Sequence, residues 1–296
     1  MHSLFVYGSL KSDEIAFKQF ADLVAEIRPA KLFDYEVGIR DGLPVIFESK
    51  GEFVEGELLT PKIDSMATFW TSIEHYEGSD LYKKAEVKVL DQEGQCWDCL
   101  TFAGKREKAR GYSRIDGSKW TSKYDPYFAY SFPILLESIS RIKRESFPSD
   151  MHKQYWLYMN SMQEKYLLLT VILEHVALLV VGMPDETGPN ARIKKLGETP
   201  EWALAYEKIK LNHGITIIQV KDAKKLKYKY DNQTPDDAIK TYYQIRSNLS
   251  HQGKSGGYAD CDLMYASLVD LSGLLREYLK IVIADIENGW NCFKES

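Results

Sequence analysis

Hydrophobic and polar positions follow two periods along this chain, and the change falls near residue 110. In the first part the apolar residues come in short runs broken by turn residues: Leu4–Val6, 30–38, 43–47, 54–59, 82–90 with alternation at Ala85, Val87 and Val89, and 95–102. Such runs predict strands. Two stretches keep a helical spacing instead. One is 13–24, with Ile15/Ala16, Phe20 and Leu23/Val24 on one side and acids in the first turn. The other opens at Thr60-Pro61 and repeats Ile63, Met66, Phe69/Trp70, Ile73 and Tyr76 before Gly78 stops it. This pattern predicts an α+β unit with an antiparallel or barrel-like sheet, not βαβ alternation.

Beyond residue 131 the spacing is helical throughout. It predicts helices over 132–144 and 154–181, one from Thr199-Pro200 toward Asn212, one opened by Thr234-Pro235, and a last one from Leu263 to Ile286. Four or five such helices form a bundle. The chain therefore reads as residues 1–110, a basic and aromatic linker over 111–131, and a helical domain over 132–296.

A chain of 296 residues with 44% hydrophobic and 27% charged residues is long enough for two globular domains and is not a disordered chain. A net charge of −5 neither requires nor excludes a polyanionic partner. Cys96 and Cys99 have C-x-x-C spacing inside a predicted strand, which sends them to opposite faces, and no second pair completes a zinc set. No metal or other cofactor is expected. The N-terminus lacks a basic-then-apolar leader, and the apolar stretch 166–181 is short for a membrane span and carries Glu174 and His175. The expected location is cytoplasmic, away from any membrane.

Two stretches of the first part carry candidate chemistry. Leu4 to Val6 runs into Tyr7-Gly8-Ser9-Leu10, a strand turning into a loop. Gly8 lets the following backbone amides approach a ligand, and consecutive amides suit a carboxylate or carbonyl oxygen; a plain turn glycine has the same pattern. The second stretch is Glu74-His75-Tyr76-Glu77-Gly78, followed by Leu81-Tyr82-Lys83. Glu77 ends a predicted helix, where the dipole disfavours an ionised carboxylate, and partial burial would raise its pKa further, as a general acid/base needs. A solvated Glu before a capping glycine is the structural alternative.

Together these stretches resemble the γ-glutamylcyclotransferase-like family over residues 3–103, with its YGSL loop and later Glu-Gly…Tyr-basic signature; Glu74 and His75 depart from the usual pattern. The resemblance implies a small α+β barrel that releases 5-oxoproline from a γ-glutamyl small molecule. It also implies that Glu77 is the catalytic acid/base and that Tyr7, Gly8, Ser9, Leu10 and Tyr82 bind substrate.

Two further segments point elsewhere. Lys105–Arg110, continued by Arg114, Lys119, Trp120, Lys123, Tyr124, Tyr127 and Phe128, interleaves basic and aromatic residues, as a nucleic-acid-binding strand or a solvated linker would. In the helical part, Tyr243-Gln244-Ile245-Arg246-Ser247-Asn248-Leu249-Ser250-His251 precedes a glycine-containing loop. This resembles the HEPN superfamily (higher eukaryotes and prokaryotes nucleotide-binding), whose ribonuclease members carry an Arg and a His near a helix end. Arg246 and His251 lie about 140° apart on an ideal helix and converge only where the helix is ending. The resemblance implies an all-α HEPN-like bundle cleaving RNA without metal, as a toxin or antiviral effector. Arg246 and His251 would be catalytic and Ser247 and Asn248 auxiliary, in a homodimer with RNA, and an antitoxin-like protein would be a candidate partner. The alternative is a γ-glutamylcyclotransferase joined to a non-catalytic HEPN module for dimerisation or nucleotide binding.

Overall fold

A computed structural model describes residues 3–40, 42–78, 81–145, 152–182, 188–209, 211, 215–218, 229–252, 260–283 and 286–291. The chain divides into two compact units, Met1–Ala129 and Tyr130–Ser296.

The first unit contains β1 (Ser3–Val6), β2 (Val24–Arg40), β3 (Leu43–Pro61), α1 (Met66–Glu77), β4 (Tyr82–Asp91), β5 (Cys96–Gly104) and β6 (Tyr112–Arg114). Five strands close into a small barrel in the order β3-β1-β5-β4-β2, with β2 pairing back to β3, and β6 adds to the far end of β2. β1 lies antiparallel to β3 (Leu4 opposite Leu59) and parallel to β5 (Leu4 opposite Leu100). Period-two alternation splits the side chains between two cores. Phe5 and Tyr7 join Leu32, Val54, Leu58, Val87 and Val89 in one cluster, the inner core, while Leu4 and Val6 join Phe20, Phe47, Phe69, Ile73 and Phe102 in the other, the outer core. The second cluster is where α1 packs, through buried Phe69 and Ile73.

Sequence periodicity and structure part at several places. β2 and β3 run through the predicted breaks as one long hairpin. Pairing jumps from Phe33–Phe53 to Tyr35–Glu48, leaving 49–52 bulged opposite Asp34. Asp34 has φ 60, and its carboxylate accepts the Gly51 N–H at 2.8 Å, so the polar Ser-Lys-Gly stretch is a bulge inside a strand. The expected helix over 13–24 is two short 3-10 turns, Ile15–Gln19 and Ala21–Leu23. Glu14, expected in a helical first turn, has extended backbone and turns inward to Ser122. α1 starts at Met66, because Thr60 and Pro61 still pair with Glu26 and Val24 in the sheet. It ends at Gly78 (φ 66), whose N–H reaches Glu74 O at 3.2 Å.

Of residues 111–131, expected as a linker, 111–129 are built into the first unit. Tyr112–Arg114 is strand β6, and Ile115 and Trp120 are buried in the inner cluster. Ser118 O accepts the Glu55 N–H at 2.8 Å. The basic residues mark only the outer side of this strap, and its apolar residues have no period that would reveal the docking.

The second unit contains α2 (Phe132–Ser140), α3 (His152–Val181), α4 (Pro189–Gly197), α5 (Pro200–Lys208), β7 (Thr216–Ile218), β8 (Lys229–Asp231), α6 (Pro235–Gln252), α7 (Cys261–Val282) and α8 (Ile286–Asn291). It is mostly helical but not all-α, since β7 and β8 pair antiparallel. Thr199 Oγ1 caps α5 by accepting Trp202 N–H at 3.3 Å, and Thr234 Oγ1 caps α6 by accepting Asp237 N–H at 3.2 Å. The expected α5 end near Asn212 and the glycine loop after α6 fall outside the described residues; α5 stops at Lys208. Among the described residues no helix is long and apolar enough to cross a membrane, and no cluster of His, Cys, Asp or Glu could hold a metal. Cys96 is exposed, Cys99 is buried, and both are free thiols.

Candidate active site

The end of β1, the start of β3, the C-terminus of α1 and the start of β4 meet at one end of the barrel. Tyr7 leaves β1 with its hydroxyl donating to Phe102 O at 2.7 Å. Gly8 follows against Pro44: a Cβ there would lie 2.4 Å from Pro44 Cγ, so no other residue fits without moving the proline. The same Pro44 offers its carbonyl to the Tyr82 hydroxyl at 2.7 Å. Ser9 Oγ shares a hydrogen bond of 2.9 Å with the Tyr76 hydroxyl, joining the loop to the last turn of α1. Leu10 contributes only backbone here, because its side chain is buried in the outer core.

The loop is held from behind as well. Lys11 N–H donates to Gly8 O at 3.1 Å. Ser12 N–H and Oγ both donate to the Glu57 carboxylate, at 2.6 and 2.7 Å. Glu14 is buried and accepts the Ser122 N–H at 3.2 Å and the Ser122 hydroxyl, tying the loop to the strap. Burial pushes the Glu14 carboxyl up to about 6 against the pull of Lys11, whose Nζ is 3.6 Å away.

Glu77 closes α1 at this end of the barrel. It is half-buried at the foot of α1, and burial pushes its carboxyl up to about 8. Among the described residues no cation pairs with it. Its neighbours are phenols: Tyr7, Tyr76 and Tyr82 are all driven above the ordinary tyrosine range, first by burial and further by the Glu77 charge. A carboxyl that titrates near neutrality can both take and return a proton, and Tyr76, its neighbour in the chain, ties it to the loop through Ser9.

Tyr7, Gly8, Ser9, Glu77 and Tyr82 are thus brought together, with Tyr76 and Pro44 as members that the motif did not single out. Arg40, at the end of β2, was also missed. It is 1% exposed, and its guanidinium carbon lies 5.7 Å from the Tyr82 ring centroid. The bulge at residues 33–35 changes the parity of β2, with Ala30 and Leu32 facing the cluster of Phe5 and Tyr7 before it and Val37 and Ile39 after it, so Arg40 falls on the opposite face, with Tyr82.

The residues singled out in the helical unit make a different picture. Arg246 on α6 is ion-paired with Glu174 on α3 at 3.2 Å and lies 5.5 Å from the Tyr243 ring centroid. The Tyr243 hydroxyl donates to the same Glu174 oxygen at 2.7 Å. Asn248 accepts from Gln244 Nε2 at 2.8 Å, and Ser247 is half-buried. The side chain of His251 lies outside the described residues, and with it the expected convergence on Arg246.

Comparisons with known proteins bear on the first unit. Similar solved structures include an Arabidopsis thaliana protein determined in solution, 25% identical, covering 47% of this chain and 84% of that one at a TM-score of 0.33. A solved gamma-glutamyl cyclotransferase is 19% identical, covering 58% of this chain and 98% of its own at 0.31. An AIG2-like protein from Mus musculus is 18% identical, covering 42% and 91% at 0.32. No curated protein matches the chain. The comparisons give no sign of a HEPN domain in the helical unit. Residues 4–122 match the model of the gamma-glutamyl cyclotransferase, AIG2-like family, so the barrel unit carries a gamma-glutamyl-cyclotransferase-like domain.

Proposed function

We propose that the barrel unit is a γ-glutamyl cyclotransferase that converts a γ-glutamyl small molecule into 5-oxoproline and the free amine. The observation that carries this is Glu77, a carboxyl raised to about 8 by burial, which follows Tyr76, the residue hydrogen-bonded to Ser9 of the loop. The family match over residues 4–122 supports it.

The reaction needs no protein nucleophile. Glu77 in its ionised form takes a proton from the substrate's α-ammonium, and the freed amine attacks the γ-carbonyl carbon. A C–N bond forms, and the carbonyl oxygen becomes an oxyanion facing the loop amides. Protonated Glu77 then gives its proton to the departing amine nitrogen as the original C–N bond breaks, and the extra proton on the ring nitrogen passes through the reset carboxylate to the released amine, which leaves as an ammonium beside the neutral five-membered lactam. One carboxyl does both transfers only if its pKa lies near the working pH, which burial provides here. Tyr7 and Tyr82 keep their protons under these conditions and act as walls and hydrogen-bond donors.

In this reading the helical unit is a companion without chemistry of its own: Arg246, the residue that would hold a phosphate, is neutralised by Glu174. The test is direct. Purified protein incubated with γ-glutamyl amides should release 5-oxoproline, and Glu77→Gln, which keeps the shape and removes the proton, should not. Absence of 5-oxoproline from every γ-glutamyl amine and peptide offered would overturn the proposal.

A further inference from the structure

Lys11 and Glu14 form a buried pair of charges that the proposed mechanism leaves without a role. Lys11 is 1% exposed and Glu14 4%, and the ammonium lies 3.6 Å from the carboxylate. Both belong to the turn that follows the loop of Gly8, Ser9 and Leu10, where the Gly8 carbonyl accepts the Lys11 N–H. An ion pair taken out of water seldom adds stability over apolar residues of the same size, whereas losing one partner strands the other charge. The pair therefore restricts the turn to the few arrangements that keep both charges satisfied. Such a device suits a loop whose amides must stay in place.

The strap supplies the other half of the arrangement. Asp13 accepts Lys11 Nζ at 3.0 Å on one oxygen and Lys119 Nζ at 3.2 Å on the other, so its carboxylate bridges the turn to the strap. Three residues after Lys119, buried Ser122 gives both its N–H and its hydroxyl to Glu14. Between these two contacts Trp120 is anchored in the inner core. Farther along, Pro126 packs against Gly42, where a Cβ would lie 2.7 Å from its ring. Gly42 (φ 83) sits in the turn between β2 and β3, two residues before Pro44, which is itself packed on Gly8. The strap thus reaches the loop from two sides, by charge through Asp13 and Glu14 and by contact through Gly42 and Pro44.

We infer that strap residues Lys119 and Ser122 clamp the loop of Gly8, Ser9 and Leu10 through Asp13 and Glu14, and that Glu14 is a positioning residue for the loop amides. The inference rests on the cyclotransferase reading and adds the strap to what that reaction needs. The Glu14 carboxylate touches no substrate; it fixes the turn whose other end presents the amides to the oxyanion. Lys119–Asp13 is the exposed half of the clamp and Glu14–Ser122 the buried half, so the larger effect belongs to the second.

Steady-state kinetics on the full chain test it, following 5-oxoproline release from γ-L-glutamyl ethylamide or, where another γ-glutamyl amine or peptide is turned over faster, from that compound. Glu14→Gln keeps the size of the side chain and removes its charge; it should lower kcat by about ten- to hundredfold and leave KM nearly unchanged, as a small misplacement of groups that act in the transition state does. Ser122→Ala removes one donor of the clamp and should lower kcat by about tenfold. The double variant should lose less than the product of the two single effects, because turn and strap act as one unit. Melting curves identify the variants that are folded at the assay temperature, and Ser122→Ala, which leaves the carboxylate and its bond to the Ser122 N–H, serves where Glu14→Gln does not fold. A pair that serves stability alone would lower the melting temperature and leave kcat untouched in folded protein, which overturns the inference. So does a rise in KM with kcat unchanged, or a pair of effects that simply multiply. Each of these leaves the cyclotransferase reading standing, since the unmodified protein still forms 5-oxoproline; if it forms none from any γ-glutamyl compound, that reading fails and the inference falls with it.

Discussion

Glu77 in the barrel unit and Glu174 in the helical unit are both helix carboxylates beside tyrosine hydroxyls, and their surroundings give them opposite characters. Glu174 accepts from Tyr243 at 2.7 Å and pairs with Arg246 at 3.2 Å, so its charge is answered within its own unit. Glu77 has three phenols around it and no paired cation among the described residues, and burial raises its proton affinity to about 8. The lesson is that an acidic residue becomes a proton carrier through what is withheld from it. A paired carboxylate is a tie between helices; an unpaired one in a desolvated corner exchanges protons near neutral pH.

The contrast is broken most forcefully by removing the Glu77 carboxyl. Glu77→Gln should lower 5-oxoproline formation by about 10²–10⁴-fold, the usual contribution of a positioned acid/base, with little change in KM. Where the unmodified enzyme is active, kcat/KM should climb with pH until about 8, because the free enzyme must present Glu77 ionised. A rate that is flat from pH 6 to 9 would count against Glu77 as the base.

A smaller effect is expected from crowding the loop. Gly8→Ala puts a methyl group 2.4 Å from Pro44 Cγ, and Pro44 also anchors Tyr82. Overpacking of this kind costs about 1–3 kcal/mol. Denaturant titration should show that loss, and turnover should fall with it because the amides and Tyr82 shift together.

Much of this site was legible before the structure, and the reasons for the remainder are physical. The Tyr7–Leu10 loop, the helix carrying Phe69, Ile73 and Tyr76, and its stop at Gly78 are each encoded within a few consecutive residues. The place of Arg40 is not legible, because the bulge at residues 33–35 resets the alternation and puts it on the face opposite Val37 and Ile39, where Tyr82 covers it. Trp120 and Ile115 were hidden for a related reason. They are buried by docking onto the barrel, in a stretch of Gly, Ser and Lys with no period, so composition suggests a linker. Local spacing favours a helical first turn for Glu14. A hydrogen bond to Ser122, distant in sequence, decided otherwise. In the helical unit the caps Thr199 and Thr234 were local and readable, whereas the β7–β8 pair consists of two three-residue strands too short to leave a pattern.

The pH dependence of stability sharpens the comparison without any substrate. Glu77 and Glu14 both have carboxyls raised above the ordinary 4.5, to about 8 and about 6. A group whose folded pKa exceeds its unfolded value binds more protons in the folded state between those two values, so stability falls as pH rises through that window. For Glu14 the fall lies between about 4.5 and 6, and for Glu77 it extends from about 4.5 to 8. Chemical denaturation at pH 5 and pH 8 should show Glu77→Gln gaining on the unmodified protein as pH rises. An unchanged difference across that range would mean that Glu77 is solvated in the folded protein.

The smallest effect is expected where the charges are already matched. Arg246 and Glu174 form a half-exposed pair, their side chains retaining 28% and 26% of their accessibility, so water and salt share in screening them. Exposed and partly exposed pairs are worth about 0.2–1 kcal/mol in double-mutant cycles. The Tyr243 hydroxyl complicates the single substitutions, because Glu174→Gln leaves it an amide oxygen in place of a carboxylate. The cycle Arg246→Met, Glu174→Gln and the double variant separates these contributions, since the Tyr243 contact is altered equally with and without the guanidinium. A coupling energy within that range, shrinking as salt is added, would identify the pair as a surface tie between α3 and α6. A coupling of several kcal/mol that salt leaves unchanged would mean that the pair is desolvated, and the contrast with Glu77 would then rest on the presence of a partner alone.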